Sequence, residues 1–401
     1  MIGDRVASWP FYSQEDIDAV AAVLRSGRVN YWTGEECRQF EREFADWAGT
    51  RHAVALANGT VALDVALKGF GIGAGDEVVV TPRTFVASAS CVVNAGARPV
   101  FADVDRESGN ISAETIRPVL TERTRAIILV HLGGYPADMD SIMELARERN
   151  IKVIEDCAQA HGARYRGRPV GSIGDVGAWS FCQDKIMTTG GEGGMVTTND
   201  ERLWKAMWAY KDHGKNWDAV YDRAHPAGFR WLHESFGTNW RMMELQAVLG
   251  RIQLRNMARW TAARNQNARA IHDRLAPLAS ATGPVRLPPF VTDESGAYVH
   301  AYYRYYCYVR PDNLAPGWTR DRIVEEINRL GIPCFQGSCS EIYREKAFEN
   351  AELQPPQRLL AAMELGETSI AFLVHPTLTP NDVERTADAA AEVLRRASRQ
   401  A

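Results

Sequence analysis

Two residues of this chain stand where an α/β protein keeps its chemistry. Val153-Ile154-Glu155-Asp156 ends a short apolar run on a carboxylate, and Ser180-Phe181-Cys182-Gln183-Asp184-Lys185 brings a lysine just after another such run. Each alone has an ordinary reading, since a strand-end Asp caps helices and a Lys is usually a solvated cation. A third segment adds to them. Asn58-Gly59-Thr60 leads directly into a helical stretch, and a helix start offers free N–H groups and a positive dipole end to a phosphate. A lysine for an aldehyde, a carboxylate for a ring nitrogen and a phosphate cradle are the parts that pyridoxal 5'-phosphate requires.

Rival motifs are weaker. GFGIGAGDE (69–77) is glycine-rich but does not match G-x-G-x-x-G, and it follows a helix and precedes a strand, the reverse of the dinucleotide order. Neither G-x-x-x-x-G-K-[ST] nor H-E-x-x-H occurs, so NAD, NTP and zinc-protease chemistry are disfavoured. The seven cysteines form no C-x-x-C pair, and no metal site is expected. A formal charge of -4 lacks the basic excess of a nucleic-acid binder. The N-terminus has no apolar signal core and no long apolar window occurs, so a cytoplasmic protein without membrane association is expected.

These groups need a scaffold, and the pattern of the chain supplies one. Residues 14–25 carry helical spacing with Ser13 as N-cap and Asp16 near a capping box, and a second amphipathic helix covers about 35–48. Apolar runs at 52–57, 77–81, 99–104, 126–130 and 152–156 then alternate with helices from 60, from about 85 and over 139–149. Strands at 178–181 and 195–198 follow. Continuous runs such as EVVVT and AIILV fit strands buried on both faces, and the alternation implies a mainly parallel sheet. Ligands in such sheets lie beyond the carboxyl ends of the strands. That rule singles out Asn58 to Thr60, Pro82 to Phe85, His131, Asp156 to Gln159 and Ser180 to Lys185. Residues 211–240 read as a long loop, functional or interfacial. A helix from Met242 to about Leu275, then an aromatic strand (302–309), a helix at 319–330 and a terminal helix from Pro380 suggest a second, smaller unit. The expected division is a large cofactor domain over 1–250, and a linking helix with a small C-terminal domain over 251–401.

ANGTVAL (57–63), TFVASA (84–89), GARPVFADVD (96–105), EDCAQAHGA (155–163), SFCQDKIMTTGGEGGMVTTND (180–200) and GTNWRMMELQAVLG (237–250) resemble, in order, the DegT/DnrJ/EryC1/StrS aminotransferase family. The resemblance implies an α/β, fold-type I pyridoxal phosphate transferase: a large domain with a mixed, mainly parallel sheet plus a smaller C-terminal α+β domain. It implies Lys185 as the Schiff-base lysine, Asp156 as the carboxylate at the pyridine nitrogen, and Gln159 near the 3-hydroxyl. Gly59, Thr60 and Ser180 match its phosphate cradle, and Phe85 the aromatic stacked on the ring. Asn239 matches an asparagine that reaches the phosphate from the neighbouring subunit, which implies a homodimer with shared sites. The implied reaction moves an amino group, with L-glutamate as donor, to a nucleotide-linked keto-sugar by a ping-pong route. A keto-cyclitol acceptor is the alternative, and a catalytically silent cofactor-binding regulator a further one. Lys185, where dehydrating relatives carry His, favours transamination.

Several residues keep two readings. Cys157 and Cys182 depart from the family's usual Ala and His, and read as packing residues rather than nucleophiles. Lys185 must lose its proton to attack an aldehyde, which calls for desolvation and positive neighbours. His161 is either substrate-facing or structural. Five of the eleven tryptophans (Trp9, Trp32, Trp217, Trp231 and Trp240) lie in the N-terminal arm and the 211–240 stretch. With Tyr31 they read as stacking surfaces or as dimer-interface packing, the interface being preferred for most. Arg230 and Lys215 read as diphosphate ligands or as solvated cations.

Overall fold

Val/Ile-rich runs form the centre of the computed structural model, which describes residues 6–224, 228, 230–293 and 295–399. The strands of the main sheet are β1 (His52–Leu56), β2 (Glu77–Val80), β3 (Arg98–Phe101), β4 (Thr124–Val130) and β5 (Lys152–Asp156). After the hairpin of β6 (Arg164–Tyr165) and β7 (Arg168–Pro169), the sheet is completed by β8 (Val176–Ser180) and β9 (Gly194–Thr198). The spatial order is β1-β9-β8-β5-β4-β2-β3. β2, β3, β4, β5 and β8 run parallel, and β9 is antiparallel to both its neighbours. The sheet is therefore mixed and mainly parallel, as expected.

Side chains alternate across it with the period of two that a strand imposes. Val78, Val80, Ile128 and Ile154 pack with Ala62, Leu63 and Ala66 of the helix Gly59–Gly69. Val79, Ile127, Leu129 and Val153 pack on the other face with Ile142 and Leu145 of the helix Met139–Arg149. Burial on both faces explains the unbroken apolar runs.

A second, antiparallel sheet holds β10 (Val285–Arg286), β11 (Tyr305–Val309), β12 (Cys334–Phe335) and β13 (Ser369–Phe372), in the order β10-β11-β13-β12. Its core is shared with Ile323 and Ile327 of the helix Arg320–Arg329 and with Val383 and Leu394 of the helix Pro380–Ala397. The 32-residue helix Glu244–Leu275 packs against both Glu36–Ala48 and Pro380–Ala397.

Two expectations change. The aromatic strand begins at Tyr305 rather than at 302, because Tyr302 adopts φ 46°, a left-handed conformation that interrupts an extended strand. Its ring instead stacks on His300 at 3.7 Å between centroids. The 211–240 stretch is not wholly loop: Asn216 caps a short helix, Trp217–Tyr221. Residues 225–227 and 229 of that stretch lie outside the described residues. The seven cysteines are free. Among the described residues no helix is long and apolar enough to cross a membrane.

Candidate active site

The carboxyl ends of β1, β5 and β8 and the segment after β2 open onto one cavity of about 570 Å³, within the range of small-molecule sites. Gly59, Thr60, Phe85, Asp156, Gln159, Ser180 and Lys185 all line it. Asn239 does not: it is exposed, and its backbone bridges to that of Asp212.

The helix start is built to hold an anion. Asn58 is the N-cap of Gly59–Gly69, and its Oδ1 accepts the Val61 N–H at 3.0 Å. The N–H groups of Gly59 and Thr60 have no intrahelical acceptor, as at any helix start. A Cβ on Gly59 would fall 2.5 Å from Ser180 Cβ. Only glycine lets this helix approach β8 closely enough to bring backbone amides beside the Ser180 hydroxyl.

Asp156 closes β5 and is buried. Its Oδ2 accepts from Ser88 Oγ at 2.8 Å and its Oδ1 from the Ala158 N–H at 3.1 Å. Burial pushes its pKa up, and the Ala158 amide, the Ser88 hydroxyl and the Lys185 charge offset this only in part. Both hydrogen bonds come from neutral donors, so a cation brought against this carboxylate would favour its ionised form. Gln159 Oε1 accepts the Gly133 N–H at 2.7 Å, which leaves its NH2 group to donate. Phe85 is 68% exposed, a large apolar ring standing open on the cavity.

Lys185 is largely enclosed, with 15% of its side chain exposed. Its Nζ lies 3.8 Å from Asp184 Oδ1 and 5.2 Å from the centroid of the Tyr303 ring. Its backbone carbonyl accepts from Trp9 Nε1 at 2.8 Å. The expectation of positive neighbours is thus corrected, because the charged group in contact is a carboxylate, supplied by the preceding residue.

Other candidates settle elsewhere. His131 turns away from the cavity: its Nδ1 accepts the Ala137 N–H at 3.0 Å, and its Nε2 meets the buried Glu155 carboxylate at 3.0 Å. Glu155 also accepts the amides of Gly171, Ile173 and Gly174. Together with Cys157 these two could in composition hold a metal, but the hydrogen bonds already use their lone pairs. His161 is buried against Trp179 and Phe181. Cys182 lines the cavity with its thiol 4.0 Å from Glu192. Tyr31 is core, hydrogen-bonded to Glu41 and Trp208. Lys215 is buried and paired with Asp212 at 2.6 Å, and Arg230 is exposed. Trp9 packs on Trp260, Trp32 on Trp208, Trp217 on Trp204 and Trp240 on Tyr210. Of the five Trp231 is exposed, and the other four are partly buried with their rings packed within the chain.

Sequence reasoning does not single out Ser88 or Tyr303, and it includes Asp184 only as part of the segment Ser180 to Lys185. Ser88 lies in the first turn of the helix Ala87–Asn94, and its hydroxyl meets that of Thr84, which precedes the helix, at 2.9 Å. Tyr303 carries no local signal.

The pattern that defines the DegT/DnrJ/EryC1/StrS aminotransferase family matches residues 10–390. A GDP-perosamine synthase from Caulobacter vibrioides is 36% identical over 362 residues, 89% of this chain and 89% of that protein. An L-glutamine:2-deoxy-scyllo-inosose aminotransferase from Streptomyces kanamyceticus is 37% identical over 336 residues, 81% of this chain and 75% of that protein. The X-ray structure of an aminotransferase from Psychrobacter cryohalolentis superposes with a TM-score of 0.95 at 60% identity, covering 98% of this chain and 99% of that one.

Proposed function

This chain belongs to the DegT/DnrJ/EryC1/StrS aminotransferase family, and from that premise we propose that it binds pyridoxal 5'-phosphate and transfers an amino group from L-glutamate to a nucleotide-linked keto-sugar, in two half-reactions. The observation that carries the reading is the convergence of Lys185, Asp156 and the Gly59–Thr60 helix start in one cavity. Two features support the cofactor in particular. The buried Asp156 is held by neutral donors alone and suits a protonated ring nitrogen. The close approach of Gly59 to Ser180 gathers donors for a phosphate.

Bound there, pyridoxal phosphate supplies an aldehyde for amines and a ring that takes up the electron pair left when an α-proton departs. The chain does the rest. The amides of Gly59 and Thr60 and the Ser180 hydroxyl hold the phosphate. Asp156 keeps the ring nitrogen protonated, and the Gln159 amide donates to the 3-hydroxyl. Phe85, which stands open on the cavity, would pack on the ring and so orient it, an orientation effect. Lys185, whose side chain is largely enclosed in the cavity, would hold the aldehyde and, when free, its amine would carry a proton between the donor's α-carbon and the cofactor.

The exposure of Asn239 outside its own cavity supports a homodimer in which it serves the partner's site. We assign the reaction to the cytoplasm, a compartment that suits seven unpaired cysteines. The name of the Caulobacter relative supports a nucleotide-linked acceptor. That of the Streptomyces relative favours a second reading, a keto-cyclitol acceptor on the same cofactor residues.

Borohydride treatment of the loaded protein should leave a pyridoxyl phosphate mass on Lys185. Glutamate should convert the cofactor to its amine form, and the correct ketone should restore the aldehyde spectrum. If glutamate changes nothing and borohydride traps nothing on Lys185, the reading fails. A Lys185→Ala protein with full biological activity would instead indicate a regulator.

A further inference from the structure

Resting on that reading, we propose that Asp184, held in place by Tyr303, is the counter-ion of Lys185 whenever the lysine is detached from the cofactor. Asp184 lines the cavity. One carboxylate oxygen, Oδ1, lies 3.8 Å from Lys185 Nζ, and the other, Oδ2, accepts the Tyr303 hydroxyl. Among the described residues it is the carboxylate within ion-pair reach of Lys185. Tyr303 is buried, comes from the segment leading into β11, and presents its ring 5.2 Å from the lysine nitrogen. Arg304 Cζ lies 4.9 Å from the same ring.

The protonation states suit the role. Burial alone would raise the Asp184 carboxyl, but the Lys185 charge, the Tyr303 hydrogen bond and Arg304 hold it below the usual carboxylate range. Burial, opposed by Arg304 and helped by Asp184, pushes the Tyr303 phenol up. A carboxylate therefore accepts a hydrogen bond from a phenol that keeps its proton at neutral pH.

When Lys185 takes the α-proton of the amino donor, the C–H bond breaks, its electron pair goes to the cofactor ring and a new N–H bond makes an ammonium. A carboxylate at 3.8 Å stabilises that ammonium by direct attraction. Proton transfer from carbon to this amine thus places the new positive charge beside a negative one. The same attraction makes the amine a poorer nucleophile toward free electrophiles. Tyr303, by occupying the second oxygen, keeps Asp184 facing the lysine rather than Arg304. Asp184 and Tyr303 are thus positioning residues that act through Lys185.

The two consequences run in opposite directions, and a merely structural role would not produce both. In cofactor-free Asp184→Asn protein near pH 7, acetic anhydride should acetylate Lys185 about tenfold faster than in the wild type, as read by peptide mass spectrometry. In the loaded variant the glutamate half-reaction should slow about tenfold, with cofactor affinity within about twofold. Asp184→Glu should move both rates back toward wild type, and Tyr303→Phe, which removes one hydroxyl, should fall between. Acetylation of Lys185 at the wild-type rate in Asp184→Asn overturns the proposal, as does an unchanged half-reaction. If the wild-type protein never captures the cofactor, the proposed function fails instead, and the acetylation arm, which uses no cofactor, still decides the pairing.

Discussion

Replacing Gly59 with Ala places a methyl group where there is no room. The new Cβ would lie 2.5 Å from Ser180 Cβ, 2.9 Å from its Oγ and 3.1 Å from its Cα, against an optimal carbon–carbon separation of about 3.5–4.0 Å. The helix start or β8 must move by roughly 1 Å, the difference between those separations. Overpacking of this kind costs about 1–3 kcal/mol, while exchanging Gly for Ala in a helix offsets at most about 1 kcal/mol. The displacement falls on donors proposed for the phosphate. Pyridoxal phosphate affinity should therefore drop about ten- to a hundredfold, at about 1.4 kcal/mol per tenfold. Titration of the cofactor-free protein followed by absorbance, alongside thermal midpoints, measures both effects. Second substitutions isolate the steric cause. Ser180→Ala keeps the offending Cβ and should not relieve Gly59→Ala. Ser180→Gly removes it and should restore the thermal midpoint, with affinity recovering only in part because the hydroxyl is gone. Wild-type affinity in Gly59→Ala, or equal relief by Ser180→Ala and Ser180→Gly, refutes the reasoning.

Ser88→Ala deletes the 2.8 Å hydrogen bond to the buried Asp156. A hydrogen bond to a charged group is worth about 1.5–3 kcal/mol, so stopped-flow spectra should show the glutamate half-reaction slowed about ten- to a hundredfold, with Lys185 still trapped by borohydride. Burial raises the Asp64 carboxyl to about 6, so the folded chain binds this proton more tightly than the unfolded one. Its contribution to stability is complete below about pH 4 and is lost as pH rises through 6. Asp64→Asn should flatten that decline and stabilise the protein at pH 7 by no more than about 3 kcal/mol, seen as higher thermal midpoints above pH 6. His161 behaves oppositely. Burial, with the Lys185 and Arg264 charges, lowers it to about 3, so stability is lost as pH falls from about 6.5 toward 3. His161→Leu should resist acid unfolding better by circular dichroism and keep the half-reaction, because the imidazole is buried against Trp179 and Phe181. A folded but inactive variant would place His161 against the substrate.

Much of the scaffold was legible because its signals are local. The Ser13–Asp16 capping box, the Val/Ile runs of β2 and β4, and Asn58 ahead of a helical stretch each depend on near neighbours in the chain. From parallel strands it also followed which segments would meet, since loops at the carboxyl ends share one edge of the sheet. The surroundings of each group were a different matter. Ser88 is 68 residues from Asp156, Tyr303 is 119 from Asp184, and Trp9 is 176 from Lys185. Nothing in local periodicity reports such pairings. Lys215 reads from sequence as a diphosphate ligand or a solvated cation, and it is buried on Asp212. His131 sat at a favoured strand end and turned inward to Glu155, and Tyr31 and Trp32 folded onto Trp208, 177 and 176 residues away in the chain. Sequence alone determined most of the elements and which strand ends and helix start meet at the cavity, because these are written in adjacent residues. Only the tertiary structure decided which charge, ring or hydroxyl each of those residues faces, because such partners come from segments that meet through packing of the two sheets and their helices.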